Sequence, residues 1–341
     1  MKKKTNALLP AAAILIFLCA AYGILTCSQE KQMADASGSS DAEQIYMTDA
    51  GSLSSITMES NGQSLSFQKE GDTWYYKSDK DCPIRQYTVT TLADTLSRLR
   101  AERSLENPDK LSAYGLDAPS IRYGIVSGEG GSQTILIGSP VPGTGDTASG
   151  YASEAAEYYA CLEGSSQVFT VGSYLPETSA KGLYDFVETE TLPYVTGSDI
   201  KEMAVTKEGK TSRFYKKTID ENNNIAWYSN PEADEASRLP DNAPFNNLAE
   251  AISGLSIASC TTYKATDEEL GSYGLSTPVM TLSWTYEKGG ETDTITLDIG
   301  SPDDEGTGYY TRKNSSRAIN LISKDSIEKC LNAQYPVPDG Q

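Results

Sequence analysis

The sequence of 341 residues contains no histidine. Without this residue there is no Ser-His-Asp or Cys-His catalytic arrangement, no imidazole metal ligand and no imidazole pH switch. Basic residues are also scarce: 28 Lys and Arg stand against 47 Asp and Glu, and the net charge is −19. Because such a chain repels phosphate backbones, we expect no nucleic-acid partner.

Long apolar runs are equally scarce, and the one that is present lies at the N-terminus. Lys2, Lys3 and Lys4 precede the apolar run Ala7–Leu25, which is long enough to cross a bilayer as a helix. Because the leading lysines stay in the cytoplasm, everything after Cys27 is expected outside. The outside part has 47 acidic and 25 basic residues, a net charge of −22.

Three fates remain open for this N-terminal segment. A cleaved signal peptide would use the small-x-small site Ala34-Asp35-Ala36, which lies far downstream of the apolar run. A lipoprotein would be cut before Cys27, although Thr26 stands where Gly, Ala or Ser is usual. An uncleaved anchor over residues 1–27 needs no further signal and is the favoured interpretation. Residues 28–44 are small and polar without periodicity, which predicts a flexible spacer.

The rest of the chain repeats itself. Tyr114-Gly115-Leu116-Asp117-Ala118-Pro119 recurs as Tyr273-Gly274-Leu275-Ser276-Thr277-Pro278, and Ile137-Gly138-Ser139-Pro140 recurs as Ile299-Gly300-Ser301-Pro302. Trp74-Tyr75 likewise matches Trp227-Tyr228, and Tyr158-Tyr159 matches Tyr309-Tyr310. Since these matches keep their order, they predict two copies of one unit, at residues 45–190 and 194–335.

Each copy has the same pattern of predicted elements. Two alternating strands surround a turn such as Asn61-Gly62, and the Trp-Tyr strand follows. A helix comes next, with apolar residues spaced by three and four: Val89, Leu92, Leu96 and Leu99 in the first copy, and Leu248, Ile252 and Leu255 in the second. Further alternating strands end each copy. The pattern predicts an α+β fold of two tandem repeats, each an antiparallel sheet with a helix packed on one face, after an N-terminal transmembrane helix.

These motifs resemble those of a bacterial extracytoplasmic family known as domain of unknown function 4340. The resemblance rests on the N-terminal anchor, the Trp-Tyr strand, Tyr-Gly-Leu-x-x-Pro, Ile-Gly-Ser-Pro and the Tyr-Tyr strand. It covers about Ile45 to Leu331 as two tandem copies. The resemblance implies association with ABC transporters that have gliding-motility-type auxiliary subunits. It identifies no catalytic residues.

No pattern in the sequence identifies a catalytic, cofactor-binding or metal-ligating residue. Cys82, Cys161, Cys260 and Cys330 lack Cys-x-x-Cys spacing, so a zinc site is not expected. Free, partly buried thiols are favoured over the disulfides Cys82–Cys161 and Cys260–Cys330. Asp220-x-Asn222-x-Asn224 begins like a calcium loop but has Ile225 at the glycine position, and Asp303-Asp304-Glu305 is typical of a solvated turn.

The favoured function is therefore a non-enzymatic, membrane-anchored accessory or scaffold protein outside the cytoplasmic membrane, with its N-terminus inside. Its expected partners are membrane lipid, contacted by the N-terminal helix, and a membrane protein such as an ABC transporter permease or auxiliary subunit. One alternative is an extracellular module that binds a ligand in the groove between the repeats. A less favoured one is an acidic hydrolase that uses paired carboxylates.

Overall fold

The computed structural model describes residues 44–144 and 156–335. The first repeat is built on an antiparallel sheet of eight strands in the order β3-β2-β1-β5-β6-β7-β8-β4. Its strands are β1 (Leu53–Ser60), β2 (Gln63–Glu70), β3 (Thr73–Tyr76), β4 (Arg103–Ser104), β5 (Ile121–Ser127), β6 (Ser132–Pro140), β7 (Tyr158–Leu162) and β8 (Phe169–Val171). Helices α1 (Gln86–Ser97) and α2 (Tyr174–Ser179) accompany it, with 3₁₀ turns at Leu111–Tyr114 and Leu183–Asp185.

The second repeat has the same topology. Its sheet order is β11-β10-β9-β13-β14-β15-β16-β12, which is the first order with every label raised by eight. The strands are β9 (Ile200–Lys207), β10 (Lys210–Thr218), β11 (Ile225–Tyr228), β12 (Ile257–Thr262), β13 (Met280–Lys288), β14 (Glu291–Pro302), β15 (Gly308–Lys313) and β16 (Ile319–Ser323). The helices are α3 (Ala243–Ser253), α4 (Asp267–Ser272) and α5 (Lys324–Leu331), with a 3₁₀ turn at Glu235–Ser237. The prediction of two tandem α+β repeats is thereby confirmed.

One helix covers the same face of each sheet. In the first repeat Val89, Leu92 and Leu96 of α1 share a core with Phe67 and Trp74. In the second, Phe245, Leu248 and Ile252 of α3 pack with Phe214 and Trp227. The apolar spacing of three and four in the sequence is the cause, because it places these side chains on one helix face.

In each repeat a side-chain amide forms hydrogen bonds with the backbone of the outer strand that carries the motif tryptophan, which is β3 in the first repeat and β11 in the second. Gln86 accepts from Trp74 N at 2.8 Å and donates to Trp74 O at 2.9 Å. Asn242, just before α3, accepts from Trp227 N at 3.2 Å and donates to Ile225 O at 2.8 Å. Both amides satisfy backbone groups that an edge strand would otherwise offer to another strand.

The two recurring glycine motifs pack against each other in both repeats. Gly115 and Gly274 end short helical turns with φ of 69° and 72°. A Cβ atom on Gly138 would lie 2.2 Å from Tyr114 O, and one on Gly300 would lie 2.2 Å from Tyr273 O. Only glycine permits this approach, so Tyr-Gly-Leu and Ile-Gly-Ser-Pro are two sides of one packing contact.

An aromatic pair completes the contact in each repeat. The rings of Tyr114 and Tyr159 are 4.7 Å apart between centroids, and those of Tyr273 and Tyr310 are 4.4 Å apart. These separations suit tilted aromatic pairs. The Tyr-Tyr strand of the sequence pattern therefore belongs to the same packing unit as the glycines.

Several features were not predicted from the sequence, helix α2 among them. The outer strands β4 and β12 pair with the last strand of each sheet, and α5 adds Ile327 and Cys330 to the second core. The strands of the first sheet lie within the predicted repeat 45–190, and those of the second lie within 194–335.

The predictions for the N-terminal segment almost entirely concern residues that the structure does not describe. Within residues 44–144 and 156–335, no helix is long and apolar enough to span a membrane. The predicted anchor 1–27 and all of the spacer 28–44 except Gln44 lie outside the described residues.

Candidate functional site at the junction of the two repeats

A pocket of about 340 Å³ lies where the two repeats meet. The first repeat contributes Asp81 and Pro83, and the segment between the sheets contributes Glu188 and Glu190. The second repeat contributes the remaining lining residues, which are Cys260, Tyr263, Lys264, Ser316, Arg317 and Ala318. The pocket lies in the groove between the repeats, where the alternative hypothesis from the sequence placed a ligand without naming residues.

The outer strand β12 of the second repeat packs against the first repeat. Cys260 on this strand is buried in the hydrophobic core of the first repeat, together with Cys82. Tyr263, just beyond the strand, donates from Oη to Asp79 Oδ2 at 3.0 Å. Its ring lies 6.3 Å from that of Tyr184. The junction therefore combines apolar burial with a directed hydrogen bond.

Two aspartates of the first repeat hold a lysine of the second. Lys264 Nζ lies 3.3 Å from both Asp79 Oδ2 and Asp81 Oδ2. The backbone N–H of Asp81, followed by the Tyr263 hydroxyl, keeps the pKa of Asp79 below its usual value. Because the side chain of Lys264 is 56% exposed, these ion pairs orient the repeats more than they stabilise them.

The segment between the sheets is bonded to both repeats. Glu188 N donates to Pro83 O at 2.6 Å in the first repeat. On the other side, Glu190 Oε2 accepts from Asn320 Nδ2 at 2.7 Å. Lys313 Nζ donates to Thr191 O at 2.9 Å. The connection between the repeats is thus fixed along its length.

The charged groups that line the pocket already have partners of opposite charge or polar partners. Arg317 pairs with Asp267 at 2.6 Å, and Glu188 lies 3.9 Å from Arg85. Burial raises the pKa of Cys260 to about 11, so this thiol is protonated and weakly nucleophilic near neutral pH. The arrangement suits docking of two modules better than it suits bond-making chemistry.

The pKa values of the carboxyl groups likewise do not favour catalysis. Every described carboxyl whose pKa is displaced is displaced downward by hydrogen bonds that outweigh burial, namely Asp79, Glu157, Asp199, Asp220, Asp234, Glu269 and Asp303. A glycosidase-type acid needs a raised pKa so that it keeps its proton. None of these seven groups meets that requirement.

The cysteines occupy separate places in the cores. All four described cysteines are free and buried, and Cys260, the most exposed of them, keeps 8% of its surface exposed. Cys82 and Cys161 lie in different clusters, as do Cys260 and Cys330, so neither of the pairs considered from the sequence is brought together. Instead Cys82 and Cys260 share the core at the junction, a contact between repeats that spacing along the chain does not reveal.

In each of the two acidic loops, an aspartate side chain accepts hydrogen bonds from residues of its own turn. Asp220 accepts from the backbone of Asn222 and Asn224 at 2.9 and 3.1 Å. Asp303 accepts from the backbone and hydroxyl of Thr307 at 2.7 and 2.6 Å. Within the described ranges, no group of three or more Cys, Asp or Glu side chains is placed to hold a metal ion.

Comparison with known proteins gives one family. A family model described as Domain of unknown function (DUF4340) matches residues 42–119, 74–264 and 240–334. These overlapping segments span both repeats. No curated protein and no solved structure matches the chain. The chain therefore belongs to the DUF4340 family, and it carries the family's domain as tandem copies.

Proposed function

We propose that this protein is a non-catalytic accessory or scaffold subunit, anchored in the cytoplasmic membrane and working outside it with a membrane complex such as an ABC transporter. The observation that carries the proposal is the use of the recurring motif residues. In both repeats Tyr-Gly-Leu and Ile-Gly-Ser-Pro pack against each other in one internal contact. The residues common to both copies thus stabilise the fold, as expected of a scaffold protein that presents its surface to a partner.

The junction supports the same proposal. Tyr263, Lys264 and Cys260 tie the second repeat to the first, and the connecting segment is bonded to both. A body of two fixed modules presents one continuous surface to a partner and pays less ordering entropy on binding than two freely jointed modules would.

The order of segments along the sequence supports the proposed location. Lys2–Lys4, the apolar run Ala7–Leu25 and a polar spacer would hold this acidic body near the outer face of the membrane. Protease added to intact spheroplasts should digest the repeats only if they lie outside. Radiolabelled fatty acid should enter the wild type but not Cys27→Ser if the chain is a lipoprotein, and neither protein if the anchor is uncleaved.

Partner association is tested by co-purification of the full chain from native membranes in several detergents. We expect a transporter permease or its auxiliary subunit to be recovered together with the tagged protein. A matched control carries residues 1–44 fused to an unrelated folded domain, which separates capture by the repeats from capture by the anchor. Recovery of the protein alone in every detergent would refute the proposal.

The junction pocket favours one alternative, a ligand-binding module. Its volume of about 340 Å³ lies at the low end of small-molecule sites, and residues of both repeats line it. A ligand held there would raise the melting temperature of the full chain. Absence of any rise with cell-wall fragments, sugars and short peptides would eliminate this alternative.

A further inference from the structure

A second pocket, of about 350 Å³, lies in the second repeat away from the junction. Three lysines line it: Lys201 on β9, and Lys216 and Lys217 on β10. Ser198 and Asn246 add polar groups, and Glu250 is the one carboxylate in the lining. The pocket therefore concentrates positive charge in a chain whose net charge is −19.

Lys216 is the most buried of the three cations. Its Nζ donates to Gly197 O and Ser198 O, both at 2.9 Å, and lies 5.5 Å from the centre of the Trp227 ring. An ammonium group has three protons. Two are directed at carbonyl groups, so one remains for an acceptor in the pocket.

The remaining charges are weakly compensated. Lys201 lies 3.6 Å from Glu287, in an ion pair whose side chains are both about half exposed. Lys217 is exposed and forms no ion pair with any described residue. Burial, followed by repulsion from Lys201, lowers the pKa of Lys216 to about 8, although Asp199 and Glu250 act in the opposite direction. The repulsion between Lys201 and Lys216 is thus only partly offset by Asp199 and Glu250.

The first repeat provides an internal comparison. The hairpin registers pair Ser60 with Gln63 and Lys207 with Lys210, which aligns Lys69 with Lys216. Lys69 also lies over its tryptophan, 6.0 Å from the centre of the Trp74 ring. A lysine over the tryptophan is thus common to both repeats and is explained by the fold alone.

The other two lysines are not shared. The same registers align Ser54 with Lys201 and Glu70 with Lys217, and Glu70 forms an ion pair with Lys80. The fold therefore does not require a cation at either position. The second repeat has added two positive charges around a lysine that both repeats possess.

We propose that this pocket binds a phosphate group, held by the ammonium groups of Lys201 and Lys216 with help from the Asn246 amide, while Lys217, the next residue on β10, adds its charge from the other face of the sheet. Lysine ammonium groups bind phosphate as point charges, and charge-assisted hydrogen bonds are the stronger kind. The phosphate belongs either to a free small solute or to a lipid headgroup. Both sources share the chemistry that the pocket recognises.

The test is calorimetric titration of the purified full chain with inorganic phosphate and with glycerol phosphate, the headgroup probe, in chloride buffer of fixed ionic strength. The double variant Lys201→Ser/Lys217→Glu installs the residues of the first repeat at exposed or half-exposed positions. Lys69→Ala, the matched control, removes the residue of the first repeat that is equivalent to Lys216. Circular dichroism checks that each variant is folded.

We expect the wild type and Lys69→Ala to bind at least one of the two phosphates, and the double variant to bind at least about tenfold more weakly. Tighter binding of inorganic phosphate identifies a free solute, and tighter binding of glycerol phosphate identifies a headgroup. Phosphate should also raise the pKa of Lys216, measured by NMR of its side chain, because a bound anion favours the ammonium form. Absence of binding to both probes, or equal binding by the folded double variant, would overturn the proposal.

Discussion

Replacement of Gly300 by alanine tests whether the recurring motif serves packing. The added Cβ would lie 2.2 Å from Tyr273 O and 3.1 Å from Leu275 Cγ, and both residues belong to a small apolar cluster of the second repeat that includes Leu270 and Ile319. Because the nearest atom belongs to the backbone, no side-chain rotation relieves the contact. We expect destabilisation of about 3 kcal/mol, the upper part of the usual cost of overpacking.

The measurement is urea unfolding of the full chain, followed by fluorescence. Two of the three tryptophans, Trp227 and Trp284, are buried in the second sheet and report on it. With an m-value of about 2 kcal/mol per molar urea, the midpoint should fall by about 1.5 M. Gly254→Ala is the matched control, since Gly254 has a φ of −84° and its Cβ would meet nothing closer than 3.5 Å.

Equal midpoints for Gly300→Ala and Gly254→Ala would refute the packing explanation of the motif. The proposed function would then lose its main support, because residues common to both repeats would be free for another role. Gly138→Ala should repeat the effect in the first repeat, where the clash with Tyr114 O is the same 2.2 Å.

Three other outcomes are expected. Asn242→Ala should cost about 1–2 kcal/mol in urea unfolding, because it frees two backbone groups of β11, whereas Asn247→Ala on the exposed side of α3 should change little. Asp79→Asn should hardly alter global stability but should speed hydrogen exchange in β12, and unchanged exchange relative to Asp72→Asn would show that Tyr263 and Lys264 do not hold the junction. Burial raises the pKa of Cys330 to about 12, against an unfolded value of about 8.5, so its contribution to stability is complete below about pH 8.5 and falls as the pH rises toward 12. Subtracting the stability of Cys330→Ala from that of the wild type across this range isolates that fall, and a flat difference would contradict it.

Local patterns in the sequence were sufficient for the repeated architecture. Asn61 and Glu208 both adopt positive φ, at 51° and 50°, before a glycine, so the two hairpin turns follow from short-range conformational preferences. Apolar spacing likewise predicted α1 and α3, because each buries a single face. Such features depend on neighbours within a few residues.

The outer strands and the junction depend on distant parts of the chain. β12 consists of Ile-Ala-Ser-Cys-Thr-Thr, which has no clear alternation, and it is buried in part by the first repeat. Tyr263 reaches Asp79 across 184 positions, a pairing that no local pattern predicts. The lysine pocket did leave a signal, since aligned repeats differ at Ser54 and Lys201 and at Glu70 and Lys217.

The outer strands β4 and β12 differ in length, and this difference makes the two repeats unequal at their junction. Two similar units joined head to tail can go on adding copies, unless the surfaces at the free ends differ from those at the joint. Here β12 spans six residues and meets the segment around Asp79–Cys82, whereas its counterpart β4 spans two. In the second repeat, the stretch that corresponds to Asp79–Cys82 carries the 3₁₀ turn Glu235–Ser237 in a longer loop. The second repeat therefore does not repeat, around Glu235–Ser237, the surface that β12 meets on the first repeat.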